Sequence, residues 1–199
     1  MFPELENKSY FVHPSSFVDA SAEIGEGTKV WHFCHIMGGA KIGKRCSFGQ
    51  NVFVANGVEI GNDVKVQNNV SIYEGVKCED FVFIGPSVVF TNVFNPRSAV
   101  ARKDQYRHTL LGKGVSIGAN ATLVCGIELG KFAFVGAGAV VTKSFGDYAL
   151  VYGNPAIQKG WMSEYGHPLT FDLHNRAICL ESGEIYLKTE KDIVTKENG

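Results

Sequence analysis

IGNDVKVQNNVSIYEGVKCEDFVFIGPSVVF, residues 60–90, places an apolar residue at every sixth position: Ile60, Val66, Ile72, Cys78, Ile84 and Phe90. The same step runs back through Val54, Phe48, Ile42, Ile36, Val30, Ile24 and Val18 to Val12. With 45% of the chain hydrophobic, an unbroken run of this length in one phase arises by chance roughly once in 70,000. After a break the step resumes at Leu111, Ile117, Leu123, Leu129, Val135 and Val141. Glycine follows the anchor at Gly25, Gly43, Gly49, Gly61, Gly85, Gly112, Gly118, Gly130 and Gly136. Four residues past most anchors stands a second small or apolar residue, among them Cys34, Val52, Val70, Val88, Ala121 and Ala139.

A helix turns every 3.6 residues and cannot keep every sixth residue on one face, whereas a strand alternates by two and can hold positions i and i+4 inward. Each hexad is therefore one short strand and a corner, and glycine suits the corner torsions. Three hexads close one turn of a triangular prism, so a coil takes 18 residues. Coils stack about 4.8 Å apart, and seven of them make a prism roughly 34 Å tall. A two-sheet sandwich would space its strands irregularly and gives no reason for strict sixes.

The step from Phe90 to Leu111 is not a multiple of six, so the chain leaves the prism there. The excursion, residues 95–110, is rich in Arg, Lys and Asp, and long loops on rigid scaffolds often carry function. We expect residues 1–156 to form the prism, with residues 1–11 capping its first coil. Residues 157–199 form a C-terminal extension, in which Ile178–Leu187 reads as a hairpin about Ser182-Gly183. The mostly charged stretch from Lys188 to Gly199 reads as a frayed tail.

The net charge of −1 argues against a nucleic-acid surface, and no apolar run is long enough to span a membrane. The opening MFPELENKSY lacks the features of an export signal, and five cysteines without a CxxC motif fit a reducing cytoplasm. Cys34, Cys46 and Cys78 take inward slots, while Cys125 and Cys179 are expected to be at least partly exposed. An acyl-cysteine intermediate is disfavoured. His32 and His35 point outward and are candidates for substrate contact or general base. Asn68, Asn69 and Asn92 lie about one coil apart and are expected to stack into one polar strip. A carboxamide there can accept a hydrogen bond from an amine.

Several stretches go further than the period. WHFCHI (31–36), VQNNVSIYEGV (66–76), GPSVVFTNVFNPRS (85–98), RKDQYRHTL (102–110), GANATLVCG (118–126), FVGAGAVVTK (134–143) and GNPA with GWMSEYG (153–166) resemble the hexapeptide-repeat sugar N-acetyltransferases. The resemblance covers roughly residues 10 to 168 and implies an all-β fold, a left-handed parallel β-helix of about seven coils. It implies acetyl-CoA as co-substrate, no metal, and a homotrimer with active sites between neighbouring prisms. The acceptor it favours is UDP-2-acetamido-3-amino-2,3-dideoxyglucuronate, a precursor of bacterial surface polysaccharide such as O-antigen. A sister group acts on dTDP-3-amino-3,6-dideoxyhexoses. A non-enzymatic or metal-binding solenoid is a further alternative.

By the same resemblance Asn92 orients the amine. Asn68, Asn69, Tyr73, Arg97, Arg107 and His32 contact the sugar nucleotide. Ala119, Ala137, Lys143, Asn154 and Trp161 line the coenzyme A path, with Trp161 near the adenine. Outward Phe53, Phe83, Phe132 and Phe134 are expected to stud one flat face that a trimer would cover.

Overall fold

The computed structural model describes residues 9–197, so most of the expected N-terminal cap lies outside the described residues. The hexads form two- or three-residue strands that pair in parallel with the strand one coil below. Lys65–Val66, for example, lies between Ser47–Phe48 and Phe83–Ile84. Seven coils stack in this way, and the strand Ala149–Gly153 begins an eighth on the first face. Among the described residues the only helical segment is a 3-10 turn at Lys103–Gln105.

The anchors fill the prism. Val30, Phe48, Val66, Ile84, Ile117 and Val135 stack on the first face; Ile36, Val54, Ile72, Phe90, Leu123 and Val141 on the second; Ile42, Ile60, Cys78, Leu111 and Leu129 on the third, all buried. The corner glycines let successive coils approach. A Cβ built on Gly43 would lie 2.5 Å from the carbonyl oxygen of Gly61 one coil above. Burial pushes the Cys78 thiol up to about 12, so this core cysteine stays an unreactive hydrophobe.

The three faces differ outside. The third face carries an alternating ladder, Glu23, Lys41, Glu59 and Lys77, continued by Leu110 and Glu128. The first carries Phe11, Lys29, Ser47, Lys65, Phe83, Ser116 and Phe134. The second presents Phe17, His35, Phe53, Ser71, Val89, Thr122 and Val140, with no Lys, Arg, Asp or Glu.

The four phenylalanines therefore do not share a face, contrary to expectation. Phe53 belongs to the second face, Phe83 and Phe134 to the first, and Phe132 to the third corner. Residues share a face only when they differ by a whole coil. Phe132 is not spare apolar surface either: it stacks on Tyr148 at 5.7 Å and joins a second small core with Leu169, Ala177, Cys179, Tyr186 and Val194.

That second core belongs to the chain's end. Ala149–Gly153 turns through a cis Asn154–Pro155 bond into Ala156–Met162, which pairs with it antiparallel, so the pairing crosses the expected boundary at 156/157. Arg176–Ile178 and Ile185–Lys188 are antiparallel, and Val194–Lys196 adds a third strand. The charged tail is thus ordered as far as Lys196, because Lys196 reaches Glu164 at 2.8 Å and Glu184 at 3.1 Å. Tyr148 donates to Glu164, and the Tyr186 hydroxyl receives the Glu164 N–H. Cys179 is buried in this core rather than exposed. Cys125 is buried too: its N–H donates to the Thr91 hydroxyl, and the Arg107 side chain lies against the adjoining Gly126.

Two predictions follow from the packing. Gly43→Ala should lower unfolding stability by about 1–3 kcal/mol, because its Cβ meets backbone that cannot move aside. Gly146→Ala, where a Cβ meets open space, should stay within about 0.5 kcal/mol; urea titration checks both. The second concerns acid. Burial pushes the Glu184 carboxyl up, but Lys196 and Tyr186 outweigh it and hold the group below its ordinary range. The backbone N–H groups of Arg176 and His174 hold Asp172 low as well. Lowered carboxylates stabilise the fold above their unfolded pKa, and that contribution is lost as pH falls through the folded value. Amide-exchange protection of Arg176–Ile178 and Ile185–Lys188 should therefore fall below about pH 4. Lys196→Met should lower it at pH 7 and flatten its acid dependence.

Candidate functional site

The 18-residue coil assigns every polar candidate to a corner. At the first corner, between the first and second faces, stand His32, then Asn51, Asn69, Ser87 and Asn120 in successive coils, with Ala119 and Ala137 in the upper two. Asn51 Nδ2 donates to Asn69 Oδ1 at 3.1 Å, and Asn68 Oδ1 accepts the Gln50 N–H at 2.8 Å. This is a true polar stack, but Asn92 is not in it. Asn92 is 24 residues beyond Asn68, a coil plus one face, and so stands at the second corner above Tyr73 and Glu74. The expected single strip is two strips on either side of the second face.

At the second corner the chain leaves the prism after Phe90 and returns at Thr109. The excursion holds itself together. Arg97 and Val100 form an isolated bridge, Arg102 reaches Gln105 at 3.0 Å, and the Arg107 N–H donates to the Asn92 carbonyl at 2.9 Å. The Arg107 guanidinium lies 5.1 Å over the Phe94 ring. Inside the loop is a cavity of about 360 Å³ lined by Asn92, Arg97, Arg102, Lys103 and Tyr106. The Asn92 carboxamide makes no hydrogen bond to another described residue, which leaves it free for a ligand. Arg102 Nε is buried without a partner, an unmet donor at the same cavity. Arg102, Lys103 and Tyr106 were legible only as loop composition; their convergence on Asn92 is set by the fold of the excursion.

A larger hollow, about 610 Å³, lies on the third face, but its charges satisfy one another, as in Lys77–Glu59 at 2.7 Å. Among the described residues no three His, Cys, Asp or Glu side chains are grouped to hold a metal ion, and no helix is long and apolar enough to cross a membrane.

Tyr73 belongs to the second corner beneath Asn92 and continues an aromatic row, with Phe53 6.1 Å from Tyr73 and His35 5.9 Å from Phe53. His35 also pairs with Asp19 at 3.1 Å; that contact and the Gly38 N–H hold the Asp19 carboxyl below its usual range. His32 stacks on His13 at 3.6 Å, three coils below Asn92 and at the other corner, so the two histidines of WHFCHI diverge.

The five coenzyme candidates separate as well. Ala119, Ala137 and Asn154 share the first corner, where no large side chain stands. Lys143 stands at the second corner with its ammonium 5.6 Å over Phe145. Trp161 lies opposite Ala149, at the far end of the first face, against Phe171 and 4.7 Å from Lys188 Nζ. One chain thus brings Asn92, Tyr73, Arg97, Arg107 and Lys143 to one corner, and Asn68, Asn69, His32, Ala119, Ala137 and Asn154 to another.

The model described as bacterial transferase hexapeptide (six repeats) matches residues 21–56, and that described as hexapeptide repeat of succinyl-transferase matches residues 39–74 and 109–143, breaking at the excursion. The chain is 44% identical to the dTDP-3-amino-3,6-dideoxy-alpha-D-galactopyranose 3-N-acetyltransferase of Aneurinibacillus thermoaerophilus, over 87% of this chain and 88% of that protein. A hexapeptide-repeat acetyltransferase of Vibrio cholerae, solved with acetyl coenzyme A, superposes with a TM-score of 0.52 at 22% identity, over 60% of this chain and 69% of that one. An acetyltransferase domain from Neisseria gonorrhoeae, also solved with acetyl coenzyme A, gives 0.50 at 23%, over 75% of this chain and 57% of that one. The repeat, the stacked coils and a relative matched over nearly its whole length agree: the chain belongs to the hexapeptide-repeat sugar N-acetyltransferases, and its fold is their left-handed parallel β-helix.

Proposed function

We propose that the chain transfers the acetyl group of acetyl-CoA to the 3-amino group of a dTDP-linked 3-amino-3,6-dideoxyhexose. The observation that carries this reading is the 44% identity to an enzyme of that name over 88% of its length. The unpartnered Asn92 carboxamide supports it. The amine arrives neutral, Asn92 accepts one of its hydrogens, and the nitrogen lone pair attacks the thioester carbonyl. The new C–N bond forms as the C–S bond breaks, and the amine proton ends on the departing thiolate. A backbone N–H at the neighbouring corner stabilises the oxyanion. Positioning rather than a strong base supplies the acceleration.

The site is assembled between protomers of a homotrimer. The candidates divide between two corners flanking the second face, the one face without Lys, Arg, Asp or Glu in its outward row. Packing that face about a three-fold axis brings the second corner of one protomer to the first corner of the next, a head-to-tail contact that closes at three. The small corner residues Ala119 and Ala137 then leave room for a pantetheine against backbone N–H groups, with Asn154 above them and Lys143 contributed across the interface. Trp161, at the far end of the first face, has no part in this reading.

A uronate acceptor, UDP-2-acetamido-3-amino-2,3-dideoxyglucuronate, is a second reading, favoured by Arg97, Arg102 and Lys103 about the Asn92 cavity and by the unmet Arg102 Nε. Guanidinium groups suit a carboxylate and a diphosphate alike, so the acceptor panel decides.

Thiol release should be measured against dTDP- and UDP-linked 3-amino sugars. The dTDP-deoxyhexose should give the higher kcat/KM; the reverse order would make the uronate the substrate. Asn92→Ala should lower kcat/KM by about 30- to 1,000-fold, while His32→Asn and His35→Asn cost less. A dead histidine variant beside a near-normal Asn92→Ala would replace the base-free mechanism by histidine catalysis.

Mixed trimers test the split site. Asn92→Ala and Ala137→Trp each disable one corner, so each alone should be nearly inactive. Co-assembled in equal amounts, they should regain about a quarter of wild-type activity, because one interface in four combines two intact corners. A site built within one chain would regain none.

A further inference from the structure

We infer that Trp31, His32 and Phe33, at the first corner of the second coil, form the stacking platform for the pyrimidine base of the sugar nucleotide. This deepens the proposed function and rests on it.

The corner is unlike those above it. In successive coils the residue held in the left-handed region is Phe33 (φ 57°), Asn51 (59°), Asn69 (61°), Ser87 (58°), Asn120 (57°) and Gly138 (70°). Asn and Gly tolerate that conformation; a phenylalanine there is strained, and strain of this kind collects at binding sites. The strain brings no core packing in return, since Phe33 is 61% exposed. The comparable aromatics at the third corner have partners: Phe132 stacks on Tyr148, and Phe81 lies 5.6 Å under Lys113 Nζ.

The platform is braced from below. The His32 ring stacks on His13 at 3.6 Å, and His13 Nδ1 is 2.9 Å from Ser15 Oγ. The Trp31 ring lies within 9° of the His32 plane, and its indole N–H donates to Ser47 at 3.3 Å. Ser15 Oγ also accepts the Phe33 N–H at 3.0 Å, fixing the strained residue. One coil above stands the exposed side chain of Gln50, whose amide can match the imide edge of a pyrimidine.

Height decides the occupant. Asn92 belongs to the fifth coil and the platform to the second, so they stand about 14 Å apart along the prism axis. An extended nucleoside-diphosphate sugar with its amine at Asn92 reaches that far with its base. In the trimer both levels open onto the same groove, because the first corner of one protomer faces the second corner of the next. The diphosphate then passes the third and fourth coils. Pyrimidines stack on aromatic faces whatever their substituents, so the platform accepts thymine and uracil alike.

Phe33→Asn tests this, because Asn already occupies the same corner position at residues 51, 69 and 120. Calorimetry with free dTDP and free UDP should give a dissociation constant raised about tenfold. The KM for the sugar nucleotide should rise likewise, while kcat and the KM for acetyl-CoA stay within about twofold. Unchanged nucleotide affinity in the variant would overturn the inference, as would a wild-type protein that binds neither nucleotide. A variant that sediments as a smaller species would also overturn it, since the aromatics would then be covering a protein interface. Failure of the acetyl-transfer reading looks different: no thiol release from the wild-type protein with any amino sugar, whatever the nucleotide titration gives.

Discussion

Everything in this molecule depends on the closure of a coil in 18 residues. Each strand is only two or three residues long and would have no stability alone. It persists because its backbone pairs with the strand one coil below and the strand one coil above, as Lys65–Val66 does. The same closure stacks the anchors into three internal columns and brings Gly43 against the backbone of Gly61. An inserted residue within the prism would break the ladder and throw every later anchor out of its column. The chain accommodates its one excursion by leaving after Phe90 and rejoining in register, with Val76 opposite Thr109 and Cys78 opposite Leu111.

That rigidity also sorts the chemistry. A prism has flat faces and projecting corners, and functional side chains fall at the corners because the strands devote their inward positions to the core. A single prism offers no cleft deep enough to hold two large substrates. Its largest cavity beside Asn92 is about 360 Å³ and is made by the loop. The division of candidates between two corners, with an uncharged face between them, is the physical reason for an assembly in which neighbours complete each other's sites.

The chain's end solves a different problem. A stacked solenoid presents unpaired strand edges at its last coil. Here Ala156–Met162 folds back on Ala149–Gly153, and a three-stranded sheet docks against Phe132 and Tyr148 through its own small core. The ion pairs of Lys196 with Glu164 and Glu184 tie the final strand to the residues just after that fold-back. This cap takes up the Phe132 ring that, by hexad position alone, looked like surface.

The sequence by itself determined the coil, because period six is incompatible with a helix and needs only the anchors from Val12 to Phe90 to be seen. It also marked the excursion, through a step from Phe90 to Leu111 that is no multiple of six, and it marked Asn92 through the stretch leading into the loop. Tertiary structure decided where those residues stand relative to one another. Asn68 and Asn92 look like neighbours in a list of polar residues, yet a separation of 24 carries one of them a face beyond the coil, onto another corner. Composition made Cys125, Cys179 and Lys196 look exposed or frayed, and only the docking of loop and tail buried or paired them. The reason is the same in each case: a repeat of short range fixes the local path of the chain, but contact between loop, cap and prism depends on angles accumulated over many residues, which no spacing in the sequence records.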